Sequence, residues 1–250
     1  MIRMIMHGCF GKMGRAICDL VANDPNCKMV AGVDVRKEEA AFPVFPTISQ
    51  CDIEADVIID FSTATAMDEL LNYCGEKKIA LVLCTTGLTP LQLEAVEETA
   101  KVTPILRSAN MSLGVNTLLK LVQEAAKVLA VAGFDMEIVE RHHNLKLDAP
   151  SGTAIAFADA LNTAMDDAYE YTYDRSTERK MREKNEIGIS AVRGGTIVGE
   201  HEIIFAGPDE VVEFKHTAYS KTVFAKGAIE AAKFLADQPA RLYNMTDVIG

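Results

Sequence analysis

The chain has 250 residues, 49% hydrophobic and 24% charged, with a formal net charge of −11. Those proportions belong to a globular protein, and the length allows one large domain or two modest ones. The negative balance argues against a broad nucleic-acid or anionic-membrane surface, though it permits a local basic pocket for a small anion.

In the first 110 residues short apolar runs alternate with helical patterns. "MIRMIMHG" reads as a strand, and "KMGRAICDLVAND" follows with Met13, Ile17, Leu20 and Val21 at helical spacing until Asp24-Pro25. "KMVAGVD", "ADVIIDFS", "KKIALVLCTTG" and "TPILRSAN" are further strands. "ATAMDELLNYCGEK" reads as a helix, and Thr89-Pro90 supplies an N-cap and first-turn proline for "LQLEAVEETAKV". Strands that are apolar almost throughout, separated by helices, predict a doubly wound α/β unit: a parallel sheet covered on both faces.

After residue 110 the pattern changes. "GVNTLLKLVQEAAKVLA" predicts a long amphipathic helix, "FDMEIVERHH" a strand, and 152–165 another helix. Residues 166–186 are polar and predict a loop or solvated helix. "EIGISAVRGG", "TIVGEHEIIFAG" and "EVVEFKHTAYS" are three strands in succession, which suggests largely antiparallel pairing. "VFAKGAIEAAKFLADQ" closes the chain as a helix. The second unit is therefore expected to be α+β with an open sheet, whose apolar face self-association would cover.

No run approaches the roughly 20 apolar residues of a membrane span, and the N-terminus lacks the apolar length and cleavage site of a signal peptide. A cytoplasmic protein is expected. The six cysteines form no C-x-x-C pair, so neither a disulfide nor a zinc site is expected.

Gly8-x-x-Gly11-x-x-Gly14 lies between the first strand and the first helix. Glycine there lets backbone approach a pyrophosphate, and the helix N-terminus offers free N–H groups to it. Asp34 ends the second strand, where a carboxylate can accept from a ribose diol and favours NAD; Lys12 and Arg36 keep NADP open. "CTTG" (Cys84, Thr85, Thr86, Gly87) and "SANMS" (Ser108 to Ser112) end strands at the edge where such sheets bind ligands.

The second signal is "ERHHNLKLDAPSGTA" at 140–154. Adjacent residues of a strand point to opposite faces, so His142 and His143 are poorly placed to share a metal ion, and none is expected. Gly152 and Thr153 begin a helix and can hold an anion, Lys146 adds a positive charge, and histidine exchanges protons near neutral pH. Together they suit a small carboxylate substrate that receives a hydride and a proton. His7, His201 and His216 are isolated and carry no assigned role.

Over essentially its full length the chain resembles the 4-hydroxy-tetrahydrodipicolinate reductase (dihydrodipicolinate reductase) family. The resemblance rests on "GCFGKMG", "DFS" at 60–62, "TTG" at 85–87, "SANMSLGVN" at 108–116, "ERHHNLKLDAPSGTA" and "VRGGTIVGEHEIIF" at 192–205. It implies a Rossmann domain of residues 1–111 and 222–250, and a substrate-binding and tetramerisation domain of residues 112–221 with an open mixed sheet. It implies reduction of a cyclic imine dicarboxylate by NADH or NADPH in a cleft between domains, in lysine and diaminopimelate biosynthesis.

By the same resemblance His142 and Lys146 handle the proton, and His143, Gly152 and Thr153 hold the substrate carboxylates. Gly8, Cys9, Phe10, Gly11, Lys12, Met13, Asp34, Cys84, Thr85, Thr86, Ser108, Ala109, Asn110 and Met111 surround the cofactor. Cys84, Met111 and Lys221 stand where the family usually has glycine, an aromatic residue and arginine. Two rivals make different predictions. An amino-acid dehydrogenase would turn over a 2-oxo acid with ammonia, and a nucleotide-sensing protein would bind NADH without oxidising it.

Overall fold

The computed structural model describes residues 1–177 and 179–250. They divide into two compact units, 1–113 with 222–250, and 114–221.

The first unit holds β1 (Ile2–His7), α1 (Lys12–Ala22), β2 (Cys27–Val33), β3 (Val44–Phe45), β4 (Val57–Asp60), α2 (Met67–Lys77), β5 (Ala80–Leu83), α3 (Pro90–Ala100) and β6 (Ile105–Arg107). The C-terminal segment adds α6 (Thr222–Leu235), β12 (Leu242–Tyr243) and α7 (Met245–Ile249). Among the described residues the strands form one parallel sheet in the order β12-β6-β5-β4-β1-β2-β3. β1 is central and apolar on both faces: Met4 and Met6 pack towards α1 and α6, Ile5 towards α2 and α3. Strand order reverses between β1 and β4, which marks the crevice where doubly wound sheets take ligands. At α3 the expected cap is present: Thr89 and Gln92 form a capping box with Pro90 in the first turn. Five strands were legible from pattern, whereas β3 and β12 are two-residue strands, too short to carry a period.

The second unit holds most of α4 (Leu113–Leu129), then β7 (Asp135–His142), α5 (Gly152–Thr163), β8 (Glu170–Thr172), β9 (Glu186–Arg193), β10 (Gly199–Ala206) and β11 (Val211–Ala218). Its sheet runs β11-β10-β7-β9-β8 among the described residues. The expectation of largely antiparallel pairing is corrected here: β9 runs parallel to both β7 and β8, while β10 is antiparallel to β7 and β11. β9 and β10 do not pair with each other but straddle β7, because residues 194–198 carry the chain across its end. The Gly194 N–H donates to the His142 carbonyl (2.9 Å) on the way.

Helices α4 and α5 cover one face of this sheet, burying Val122, Phe157, Ile138, Ile189 and Phe205 together. The polar stretch 166–186 is not wholly loop. It contributes β8, and Arg182 reaches Asp135 (2.8 Å) and Glu137 (3.0 Å) on β7; position 178 of that stretch lies outside the described residues.

Candidate active site

In the first unit the three loop glycines do separate jobs. Gly8 has φ +85°, and a Cβ on it would lie 2.6 Å from the Phe61 carbonyl oxygen, so neither its backbone nor its surroundings suit another residue. Gly11 is the N-cap of α1 and supplies no side chain to its N–H groups. A Cβ on Gly14 would overlap the Gly8 carbonyl oxygen and come within 2.8 Å of that of Cys9, so α1 seats directly on the loop. This cradle, with uncapped N–H groups at the start of an 11-residue helix, fits a dinucleotide pyrophosphate.

Beside the cradle a groove of about 510 Å³ is lined by Gly8, Gly11, Asp34, Arg36, Ser62 and Thr63. Asp34 accepts hydrogen bonds from the Phe10 N–H (2.9 Å) and from the Arg36 N–H, Nε and Nη2 (3.0 Å each). Partial burial raises its pKa, but these donors outweigh that and hold the carboxyl below the usual carboxylate range. A larger cavity of about 850 Å³, lined by Cys9, Cys18, Met29 and Phe42, borders α1 away from the residues that mark the groove.

The other expected cofactor residues divide by where their side chains go. Cys9, Phe10 and Met111 are buried in the core and Met13 packs against it, so their side chains are committed to packing. Lys12 is exposed in the first turn of α1. Cys84 also packs on the core, and burial with the nearby Asp60 charge pushes its thiol well above the ordinary range. Thr85 is buried, with Oγ1 unpartnered among the described residues, whereas Thr86 is exposed. Ser108 and Ala109 follow β6, and Asn110 Oδ1 accepts from the Ser112 N–H (2.8 Å).

In the second unit the expected proton-handling and carboxylate-holding residues stand at and after the end of β7. His142 is its last residue, aligned with Arg193 of β9. On the other flank is Gly199 of β10, where a Cβ would stand 3.1 Å from His142 Nε2; a larger residue would crowd the ring. His142 Nδ1 lies 2.6 Å from Glu140 Oε2. Glu140, wholly buried, is gripped by Arg193 through both oxygens (2.7 Å each) and accepts from the Ser151 N–H (3.0 Å). His201 stands edge-on to His142, ring centroids 5.2 Å apart, and contacts Ser151 Oγ at 3.0 Å. Burial, with His142 adding to it, lowers the His201 pKa to about 4. A pKa that low leaves His201 neutral near physiological pH.

Past β7 the chain turns, and Lys146 Nζ reaches Asp148 Oδ1 at 2.8 Å. Lys146, then the backbone N–H groups of Asp148 and Gly152, hold the Asp148 carboxyl below its usual range. Ser151 caps α5 by accepting from the Ala154 N–H (3.1 Å), and Gly152 and Thr153 form its first turn. The positive groups expected to hold a substrate carboxylate thus already meet one carboxylate of the chain itself. His143 is half-buried, with Nδ1 unpartnered among the described residues.

Of the residues without an assigned role, His201 belongs to this cluster, and so do Glu140 and Arg193, which stand inside the motifs at 140–154 and 192–205 but were given no role of their own. Glu140 was readable in one respect: it stands two residues before His142 on a strand, hence on the same face. Arg193, more than 50 residues away, had no such local signal.

A glycine-cradled parallel sheet with an acid-ended second strand, joined in one chain to an α+β unit bearing a histidine–lysine site, defines a Rossmann-type oxidoreductase. The family model for "Dihydrodipicolinate reductase, N-terminus" matches residues 2–111, and that for its C-terminus matches 114–249. A 4-hydroxy-tetrahydrodipicolinate reductase of Caldanaerobacter subterraneus subsp. tengcongensis is 53% identical over 249 residues, covering 100% of this chain and 98% of its own. One from Clostridium novyi is 44% identical over 250 residues, with the same coverage.

The structure of a dipicolinate-bound dihydrodipicolinate reductase from Paenisporosarcina sp. TG-14 superposes with a TM-score of 0.83 at 26% identity, over 98% of this chain and 97% of that one. A diaminopimelate dehydrogenase from C. glutamicum, at 13% identity and a TM-score of 0.57 over 100% of this chain and 95% of that one, shares the fold alone. The chain belongs to the dihydrodipicolinate reductase family, whose N-terminal domain binds nucleotide.

Proposed function

We propose that this chain reduces 4-hydroxy-tetrahydrodipicolinate to tetrahydrodipicolinate with NADH or NADPH, in lysine and diaminopimelate biosynthesis. One hydride and one proton enter the substrate, and one water leaves. The observation that carries this reading is His142 anchored by Glu140, which also accepts from the Ser151 N–H at the start of α5, with Lys146 on the loop between them. The Paenisporosarcina relative, which binds dipicolinate, supports the same ligand class.

The reduced nicotinamide supplies the hydride. The glycine cradle holds its pyrophosphate, Asp34 takes the adenosine ribose, and the backbones at Cys84–Thr86 and Ser108–Met111 border the rest. Lys146, His143 and the N–H groups of Gly152 and Thr153 hold the substrate carboxylates, displacing Asp148 from Lys146. His142 and Lys146 handle the proton. The experiment couples the protein to dihydrodipicolinate synthase with pyruvate and aspartate semialdehyde and follows nucleotide absorbance. Oxidation of NADH or NADPH that depends on synthase supports the reading; nucleotide binding without oxidation overturns it in favour of a sensor.

The Asp34–Arg36 pair leaves either nucleotide open. With Asp34 turned to a ribose diol the site suits NADH. Arg36, swung off Asp34, can meet a 2′-phosphate and screen the carboxylate from it. Arg36→Ala is expected to raise the KM for NADPH about tenfold and that for NADH less than twofold. Initial rates with each nucleotide check this, and equal changes in both would remove Arg36 from recognition.

For the assembly we propose a homotetramer built on the second unit's open sheet face, where Val139, Arg141, Glu200, Glu202 and Ile204 are only half-buried. Arg141–Glu202 (2.9 Å) and Lys215–Glu200 (2.6 Å) already pair charges across this face, which reduces what must be desolvated on association. No helix among the described residues is long and apolar enough to cross a membrane. With the net charge of −11, this supports a cytoplasmic enzyme with neither nucleic-acid nor membrane partners.

A further inference from the structure

We propose that Glu140 is a positioning residue for the reduction, fixing the hydrogen of His142 on Nδ1 so that Nε2 alone gains and loses the working proton. This rests on His142 handling a proton, the reading given above.

Glu140 and His142 are alternate residues of β7 and share a face. A lone carboxylate so deeply buried would take up a proton rather than stay charged. Here burial pulls in that direction but is outweighed by Arg193, His142 and the Ser151 N–H, which together hold the carboxyl below its ordinary range. An ionised carboxylate only accepts hydrogen bonds. The 2.6 Å contact therefore requires Nδ1 to carry the hydrogen, whether the ring is neutral or charged.

The surroundings sharpen the assignment. From β9, Arg193 grips both carboxylate oxygens, sharing Oε2 with His142, and also donates to the Asp148 carbonyl oxygen (2.6 Å). One guanidinium thus ties the histidine's anchor to the loop that presents Lys146. From β10, His201 faces the ring in its neutral form, with His216 of β11 next in register. Gly199 leaves space at Nε2. Lys146 and Asp148, paired with each other, complete the charged groups near the ring.

Glu140→Gln keeps the shape and an acceptor for Nδ1–H but removes the charge. The variant is expected to lose about 30-fold in kcat with KM changed less than threefold. The pH profile of kcat also changes in the variant, because the charge beside the ring is gone. A merely structural role would move neither the profile nor the balance between kcat and KM. Unchanged kcat and pH profile in Glu140→Gln, alongside an impaired His142→Gln, overturn this inference alone. Unimpaired turnover in His142→Gln overturns the underlying reading instead.

Leaving Arg193 without its anion can prevent folding, so a second measurement uses the unaltered protein. With only five histidines, nitrogen NMR of histidine-labelled protein resolves each ring, and His142→Gln assigns the signal. A neutral His142 in the Nδ1–H form is expected; the Nε2–H form overturns the proposal.

Discussion

His142→Gln lowers kcat by about 100-fold or more and changes KM less than threefold. Glutamine can still donate to Glu140 and fill the space beside Gly199, so the packing at the end of β7 survives. It cannot cycle a proton near neutral pH, and a positioned acid or base is typically responsible for about 10²–10⁴ in rate. Steady-state kinetics across a pH series measures the effect. If Lys146 delivers the proton by itself, kcat is spared and only KM moves, which would reject His142 as the acid.

Gly14→Ala destabilises the first unit by about 3 kcal/mol, the size of an overpacked contact that must be relieved by moving backbone. Its Cβ would overlap the Gly8 carbonyl oxygen, and no side chain is there to rotate away. Helix α1 must lift, taking with it the N–H groups proposed to meet the pyrophosphate, so nucleotide affinity is expected to fall at least tenfold, as read by fluorescence titration. Gly11→Ala is the control for stability alone: its Cβ would meet the same oxygen at 3.2 Å, a gap that a small adjustment opens. Thermal melts that rank the two variants equally would show that α1 is not seated through Gly14.

What could be read in advance divides by the range of the interactions involved. The parallel sheet was legible because β1, β4 and β5 are apolar on both faces, a pattern carried within a few consecutive residues. The start of α3 was legible from Thr89-Pro90, and the dinucleotide loop from glycine spacing followed by Asp34. "HHNLKLDAPSGT" likewise placed a strand end, a lysine and a helix start within a dozen residues. Each of these is a local pattern, decided by backbone preference and by period.

The sequence alone therefore determined the longer strands and helices of the two units, and which short motifs stand at their ends, but not β3, β8, β12 or α7. The tertiary structure decided what those motifs can do. β9 and β10 lie on either side of β7, not in the hairpin their order suggests, and this long-range pairing sets Arg193 and Gly199 against His142. It also turned Glu140 from one more acidic residue into a buried anchor, and His201 from an isolated histidine into a neutral neighbour. Cys9, Phe10 and Met111, which look in the motif like ligand contacts, are core side chains. The reason is physical: charge and tautomer depend on partners that burial brings together from 50 or more residues away, and no local period encodes that distance.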